Sequence, residues 1–205
     1  MPDRYLRQFE GDTSTFAGSD RPASDYKVKV LAIRDYHHQP ADPKFGLYDD
    51  LIVACIGNYT EAFKASTDPG RFAVQNSRHR GGCAVLTQAT HFFEKGKHSH
   101  DRFDAFVPAE DVEVARVDKD GNITTREMST DGTIHIHCGS GDYAGNDDVG
   151  DFSEGCQIIF NPPGYFKGKP SDPWYRFYNL VANGLADHDQ TVFPYKLIHI
   201  SELAP

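Results

Sequence analysis

The sequence predicts a mainly β fold: a sandwich or barrel-like sheet with one packed C-terminal helix. Three observations predict it. Short runs of alternating or continuous apolar residues recur along the chain, each bounded by Gly, Pro, Asn or Asp. A single late stretch carries a helical period. At 205 residues with 39% hydrophobic content, the chain is long enough for one domain with its own core.

The elements follow in order. Residues 1–24 are rich in Gly, Ser, Thr, Asp and Arg without periodicity and read as a flexible N-terminal arm, so the domain is expected over 25–205. Tyr26 to Arg34 alternates as a first strand. His37-His38-Gln39-Pro40 opens a proline-broken loop. Leu51 to Ile56 is a continuous apolar run, as in a central strand, and Tyr59 to Ser66 alternates again. Gly57-Asn58 between them signals a hairpin, and Asp68-Pro69-Gly70 a turn. Cys83–Gln88 and His91–Phe93 are short strands, preceded by the basic cluster from Ser77 to Gly82. Lys95 to His100 reads as a polar turn before a strand over Arg102–Val107. Asp111–Val117 and Ile123–Glu127 flank the hairpin turn Asp118–Asn122. Ser171 or Asp172 caps the helix, with Pro173 near its first position. Trp174, Phe177, Tyr178, Val181 and Leu185 form its core-facing stripe. Val192 to Ile200 is the last strand.

Composition excludes several classes. The formal net charge is −9, the wrong sign for a nucleic-acid-binding face. It offers nothing to an anionic membrane surface, and no stretch is long and apolar enough to span one. Cys55, Cys83, Cys138 and Cys156 lack the paired spacing of a zinc ribbon and are too sparse for a disulfide scaffold. Cys55 and Cys83 sit in apolar runs and read as buried thiols. No apolar segment follows Met1, so the expectation is synthesis in a cytosol that keeps thiols reduced, without a signal peptide. Oligomeric state is not legible.

The chemistry concentrates between Gly132 and Phe160. Thr133 to His137 alternates as a strand, placing Ile134 and Ile136 on one face and His135 and His137 on the other. Cys138 is expected on the apolar face. The connection Gly139–Asp151 is rich in Gly and Asp and reads as an exposed loop. Ser153-Glu154-Gly155-Cys156 then leads into the apolar run Gln157–Phe160. A histidine at one strand end and a Gly-Cys pair at the next strand start suit thiol chemistry. The imidazole takes the thiol proton and returns it to the leaving group. Gly155 allows a tight turn, and main-chain N–H groups beside it can receive an oxyanion. A lone cysteine in an apolar strand is otherwise a small buried hydrophobe.

The I-H-x-G of Ile136–Gly139 followed by S-x-G-C at Ser153–Cys156 resembles the active-site signature of the L,D-transpeptidases, the YkuD-like domain. A closer likeness is to a phage and bacterial branch reading N-I-H-x-x-G … W-S-x-G-C-Q-V, a form that Phe152–Ile158 fits. Thr67–Gly70, Gly96-Lys97-His98 and Phe193–Leu197 are similar too. The resemblance implies an L,D-transpeptidase-like catalytic domain acting on peptidoglycan stem peptides, by transpeptidation or hydrolysis. It implies Cys156 as nucleophile, His137 as base, Ser153 as a group orienting the histidine or substrate, and Gly155 with Cys156 as oxyanion site. Family members carry Ile-Arg or Val-Arg after the cysteine, the Arg holding a substrate carboxylate; here Gln157-Ile158 stands there. Arg78 and Arg80 are candidates to take that carboxylate, and His135, His98 and Gln157 to line the substrate site. No cofactor and no metal are expected on this reading, and peptidoglycan peptides are the only partner. Carriage on a phage particle or release by lysis would bring the chain to a wall.

Two other readings compete. His100-x-x-x-Asp104 with His135-x-His137 resembles the ligand set of lysostaphin-like zinc endopeptidases. A non-catalytic wall-binding or virion protein on the same fold is the other.

Overall fold

The computed structural model describes residues 3–17, 19–39, 44–98, 103–130, 132–140, 149–150, 152–162 and 172–203. Its strands are β1 (Val28–Arg34), β2 (Asp50–Ile56), β3 (Tyr59–Ser66), β4 (Cys83–Leu86), β5 (Thr90–His98) and β6 (Phe103–Pro108). They continue with β7 (Val112–Val117), β8 (Ile123–Ser129), β9 (Ile136–Ser140), β10 (Gln157–Asn161) and β11 (Val192–His199). The helices are α1 (Asp3–Leu6), α2 (Arg71–Gln75) and α3 (Pro173–Asp187). The protein is mainly β, and its large sheet closes into a barrel in the order β1-β11-β5-β6-β9-β10-β3-β2. A separate three-stranded sheet, β4-β7-β8, contributes Ala84, Leu86, Val112 and Val114 to the same core.

The C-terminal helix forms for local reasons. Asp172 caps it by accepting the Trp174 N–H, and Pro173 occupies its first turn. Trp174, Phe177, Val181 and Leu185 then fall on one buried face. Phe177 meets Phe63 and Phe106 edge-on, at ring centroid distances of 5.3 and 5.9 Å. Each such side chain contributes about 1.5–3 kcal/mol by leaving water.

The strand carrying His137 and the strand after Cys156 are neighbours. β9 and β10 run parallel, with Gln157 opposite Ile136 and Ile158 opposite His137. Alternation then divides the residues between two faces. Ile136, Cys138 and Ile159 join the main core, whereas Ile158 packs against Tyr48 and Val149. Cys138 thus lies on the apolar side as expected, and all four cysteines are free thiols. Gly139 is needed where it stands: a Cβ there would sit 1.9 Å from the Tyr48 hydroxyl.

Several sequence expectations need correction. The ordered strand begins at Ile136, not Thr133. Lys95–His98 is not a turn but the end of β5, whose polar half is held by pairing with β6. Lys97 there lies opposite Asp104, and their side chains form a 2.6 Å ion pair. Alternation of apolar residues cannot reveal a solvated hairpin end of this kind. The N-terminal stretch read as a loose arm is packed in the described residues. Phe9 is buried beside Leu31, Ile33 and Val53, and Asp12 accepts from Thr90 and Lys196. The short helix α2 was not expected. Of the Gly139–Asp151 connection, residues 141–148 and 151 lie outside the described residues, as do His100 and Ser171.

Candidate active site

His98, His137 and Cys156 converge on the outer side of the barrel, where β5, β9 and the turn before β10 meet. One ring nitrogen of each histidine and the Cys156 sulfur all lie within 4.8 Å of one another. The His98 and His137 rings are stacked, 4.1 Å apart and tilted by only 13°. His135 stands edge-on to His98, with its Nδ1 2.8 Å from the His98 Nδ1.

The hydrogen bonds fix the tautomers of the neutral rings. The His137 Nδ1 lies 2.7 Å from the Cys138 carbonyl, which can only accept, so Nδ1 carries the hydrogen and Nε2 the lone pair. That Nε2 is buried and has no hydrogen-bond partner among the described residues. The His135 Nε2 donates to the Gly132 carbonyl at 2.6 Å, leaving its Nδ1 to accept from the His98 Nδ1–H. His98 therefore also presents a lone pair on Nε2.

The backbone of the Ser153–Cys156 turn is braced from within. The Ser153 hydroxyl donates to the Cys156 carbonyl at 2.8 Å and accepts the Gly155 N–H at 3.1 Å. Ser153 is fully buried, so it shapes the turn rather than orienting a histidine or a substrate. Its hydroxyl also occupies the Gly155 N–H, which removes that group from the expected oxyanion site. Gly155 itself has φ of +133°, and a Cβ would approach the Ala84 carbonyl oxygen to 2.8 Å. Only glycine fits there.

Gln157 is not a pocket residue. It is fully buried in the barrel, where its amide donates to the Thr67 and Gly155 carbonyls and accepts from the Tyr195 hydroxyl. Strand alternation is the reason: a residue next to Cys156 faces the other way. It acts on the site only by holding the Gly155 carbonyl.

Cys156 opens onto a cavity of about 730 Å³ that His98, His135, Arg78, Arg116 and Glu154 also border. Arg78 thus lies where a substrate carboxylate could be met. Arg80, also exposed, does not border the cavity. Arg116 was not anticipated; it lies inside a strand, where sequence reads it as surface, and it is paired with Glu127 at 2.7 Å. The zinc endopeptidase ligand set is not gathered among the described residues. Asp104 is paired with Lys97, and His135 is engaged by His98 and Gly132.

The resting electrostatics differ from a thiolate–imidazolium pair. Burial pushes the Cys156 thiol up to about 11, against the pull of the His135 backbone N–H. Burial, with His98 and His135 close by, pushes His137 down to about 3, against its bond to the Cys138 carbonyl. Both groups are neutral near pH 7, and the thiol donates to the Thr133 carbonyl at 3.4 Å. A cysteine read from the sequence as paired with an imidazole is expected to have a depressed thiol pKa and to label selectively at mildly acidic pH, and burial of both groups overturns that expectation. Alkylation of Cys156 by iodoacetamide should instead rise with pH up to about 11, roughly tenfold per unit. Mass spectrometry of protein quenched at intervals checks this; a plateau below pH 8 would contradict it. Cys55, fully buried and pushed up to about 12, should stay unlabelled in the folded protein.

No protein-family model, no curated protein and no solved structure matches this chain.

Proposed function

We propose that the chain is a cysteine-dependent acyl-transfer enzyme of the L,D-transpeptidase type, acting on peptidoglycan stem peptides. One observation carries the reading. The Nε2 of His137, buried and bearing a lone pair, meets no partner among the described residues, and a ring nitrogen of this histidine lies within 4.8 Å of the Cys156 sulfur at the wall of a cavity. A histidine held this way by a carbonyl on Nδ1 is oriented as a general base.

Substrate entry breaks the bond from the thiol to Thr133. His137 Nε2 takes the thiol proton as the sulfur attacks the peptide carbonyl. The N–H of Cys156 serves as oxyanion donor, since Ser153 holds that of Gly155. His137 then gives its proton to the departing amine, leaving an acyl thioester. An amine acceptor or water resolves the thioester, with His137 again taking the proton. Low dielectric favours the neutral pair at rest, so the charge separation arises only with substrate bound. Arg78 at the rim receives the free carboxylate of the stem peptide, the role that an arginine after Cys156 plays in the family resembled.

The test is incubation with purified muropeptides, with and without prior alkylation of Cys156, and identification of products by mass. Cross-linked or trimmed stem peptides from the untreated protein alone are expected. Equal products from alkylated protein would overturn the reading, as would no products from either.

A further inference from the structure

We propose that His98, His137 and Cys156 also form a binding site for a zinc ion, and that its occupation silences the acyl transfer by engaging both the sulfur and the imidazole. The silencing rests on the function proposed above; the site itself does not.

The donor set has the chemistry of zinc ligation: two imidazoles and a thiol, with a fourth position facing the cavity. Tetrahedral zinc with bonds of about 2.0–2.3 Å places its ligand atoms about 3.3–3.6 Å apart. A ring nitrogen of each histidine and the sulfur already lie within 4.8 Å of one another, so a contraction of about 1 Å completes the set. Side-chain rotation supplies it once the thiol leaves the Thr133 carbonyl.

The surrounding hydrogen bonds match what histidine ligands need. A ligating imidazole is oriented by donating its other ring N–H to a carbonyl or a similar acceptor. His137 does so to Cys138, and His98 does so to His135, which in turn donates to Gly132. Both rings thereby direct a lone pair away from their own partners. For His137 that lone pair is buried and unanswered among the described residues. A base alone would account for His137 but not for a second imidazole stacked in the same tautomeric state beside the sulfur.

Binding forms one zinc–sulfur and two zinc–nitrogen bonds. The thiol proton passes to solvent, and nothing is oxidised or reduced. The zinc then draws charge from the sulfur and lowers its nucleophilicity, and His137 has no pair left for the proton.

The experiment uses the whole reduced chain, stripped with a chelator and titrated with cobalt(II), then zinc. One equivalent of cobalt should give a thiolate-to-metal absorption band, and zinc should bleach it. Cys156→Ser should lose the band, and His98→Ala should weaken binding at least about tenfold. His135→Ala, which removes only the supporting bond, should weaken it about 10–100-fold. Thermal melts in chelator identify any variant that fails to fold; Cys156→Ala and His98→Gln then replace it. No band, or stoichiometric binding retained in Cys156→Ser, overturns the site. Metal in the second case would belong elsewhere, as at Asp35, His38 and Asp49. Turnover measured in chelator separates the two proposals. Activity without metal binding sinks the zinc site and leaves the thiol enzyme. Zinc binding at Cys156 without turnover in chelator leaves the site and sinks the acyl transfer.

Discussion

Cys156→Ser should lower turnover on muropeptides by about a thousandfold or more, with little change in melting temperature. The hydroxyl is slightly smaller than the thiol and can keep the bond to the Thr133 carbonyl, so the turn should persist. It is a far weaker nucleophile at any pH the imidazole can serve. His137→Ala should lose about 10²–10⁴-fold, the usual contribution of a positioned base. His135→Ala should lose less, since His135 holds His98 rather than the sulfur. Full activity of Cys156→Ser in a steady-state assay would exclude thiol catalysis altogether.

The second large effect concerns stability. Arg34 is nearly buried and gathers several groups behind β1. It donates to the Thr67 hydroxyl and carbonyl at 3.1 Å and to the Leu86 carbonyl at 3.3 Å, and it lies 3.2 Å from Asp68. Asp50, fully buried, accepts from the backbone N–H of Asp35 and the hydroxyl of Thr67, both at 2.7 Å. Burial and the charge of Asp68 push Asp50 up to about 8, while Arg34 pulls it down. Arg34→Met leaves two interior carboxylates without their cation. The expected loss is about 3–5 kcal/mol, or about 10 °C in melting temperature for a domain of this size. The pH dependence has a definite sign. A carboxyl whose folded pKa is raised contributes stability that is fully present below about 4 and is lost as pH rises to about 8. The deficit of Arg34→Met should therefore be larger at pH 8 than at pH 5, where the carboxyls take up protons. A deficit below about 1 kcal/mol at pH 8, close to the value of an exposed ion pair, would refute the argument.

Much of the fold was legible because its strands alternate and its turns are punctuated. Tyr59–Ser66, the Gly57-Asn58 hairpin and the Asp172–Pro173 helix start are visible in single residues. Closure into a barrel was one of two alternatives left open beside a sandwich, since it depends on pairing β1 with β11, and no local pattern encodes which edges meet. At the site, the placement of His137 beside the Cys156 strand was readable. The inward turn of Gln157 was missed, because the family likeness placed it at the substrate, although the alternation that sends Cys156 outward turns it into the barrel. The bracing role of Ser153 was hidden because a serine one turn before a cysteine looks alike whether it faces ligand or backbone. His98 was placed near the site, but on a loop, because the polar half of β5 carries no apolar signal. The resting charge state was not readable at all. It is set by burial, which depends on what the rest of the chain lays over the cluster.

The closing of the barrel through β11 bears on how the protein is made. Val30 lies beside Tyr195, and Phe93 beside Phe193, so both β1 and β5 wait for a strand synthesised well after them. Until then the sheet has two unpaired edges, rich in Val, Ile and Phe, that invite pairing with other chains. The first contact joins residues 165 apart in sequence and the second residues 100 apart, which makes for slow folding. His98 lies at the other end of β5, where the partner is β6, and β6 in turn pairs with β9, so its stack on His137 does not wait for β11. The half of the sheet that carries the cluster can therefore form while the barrel is still open.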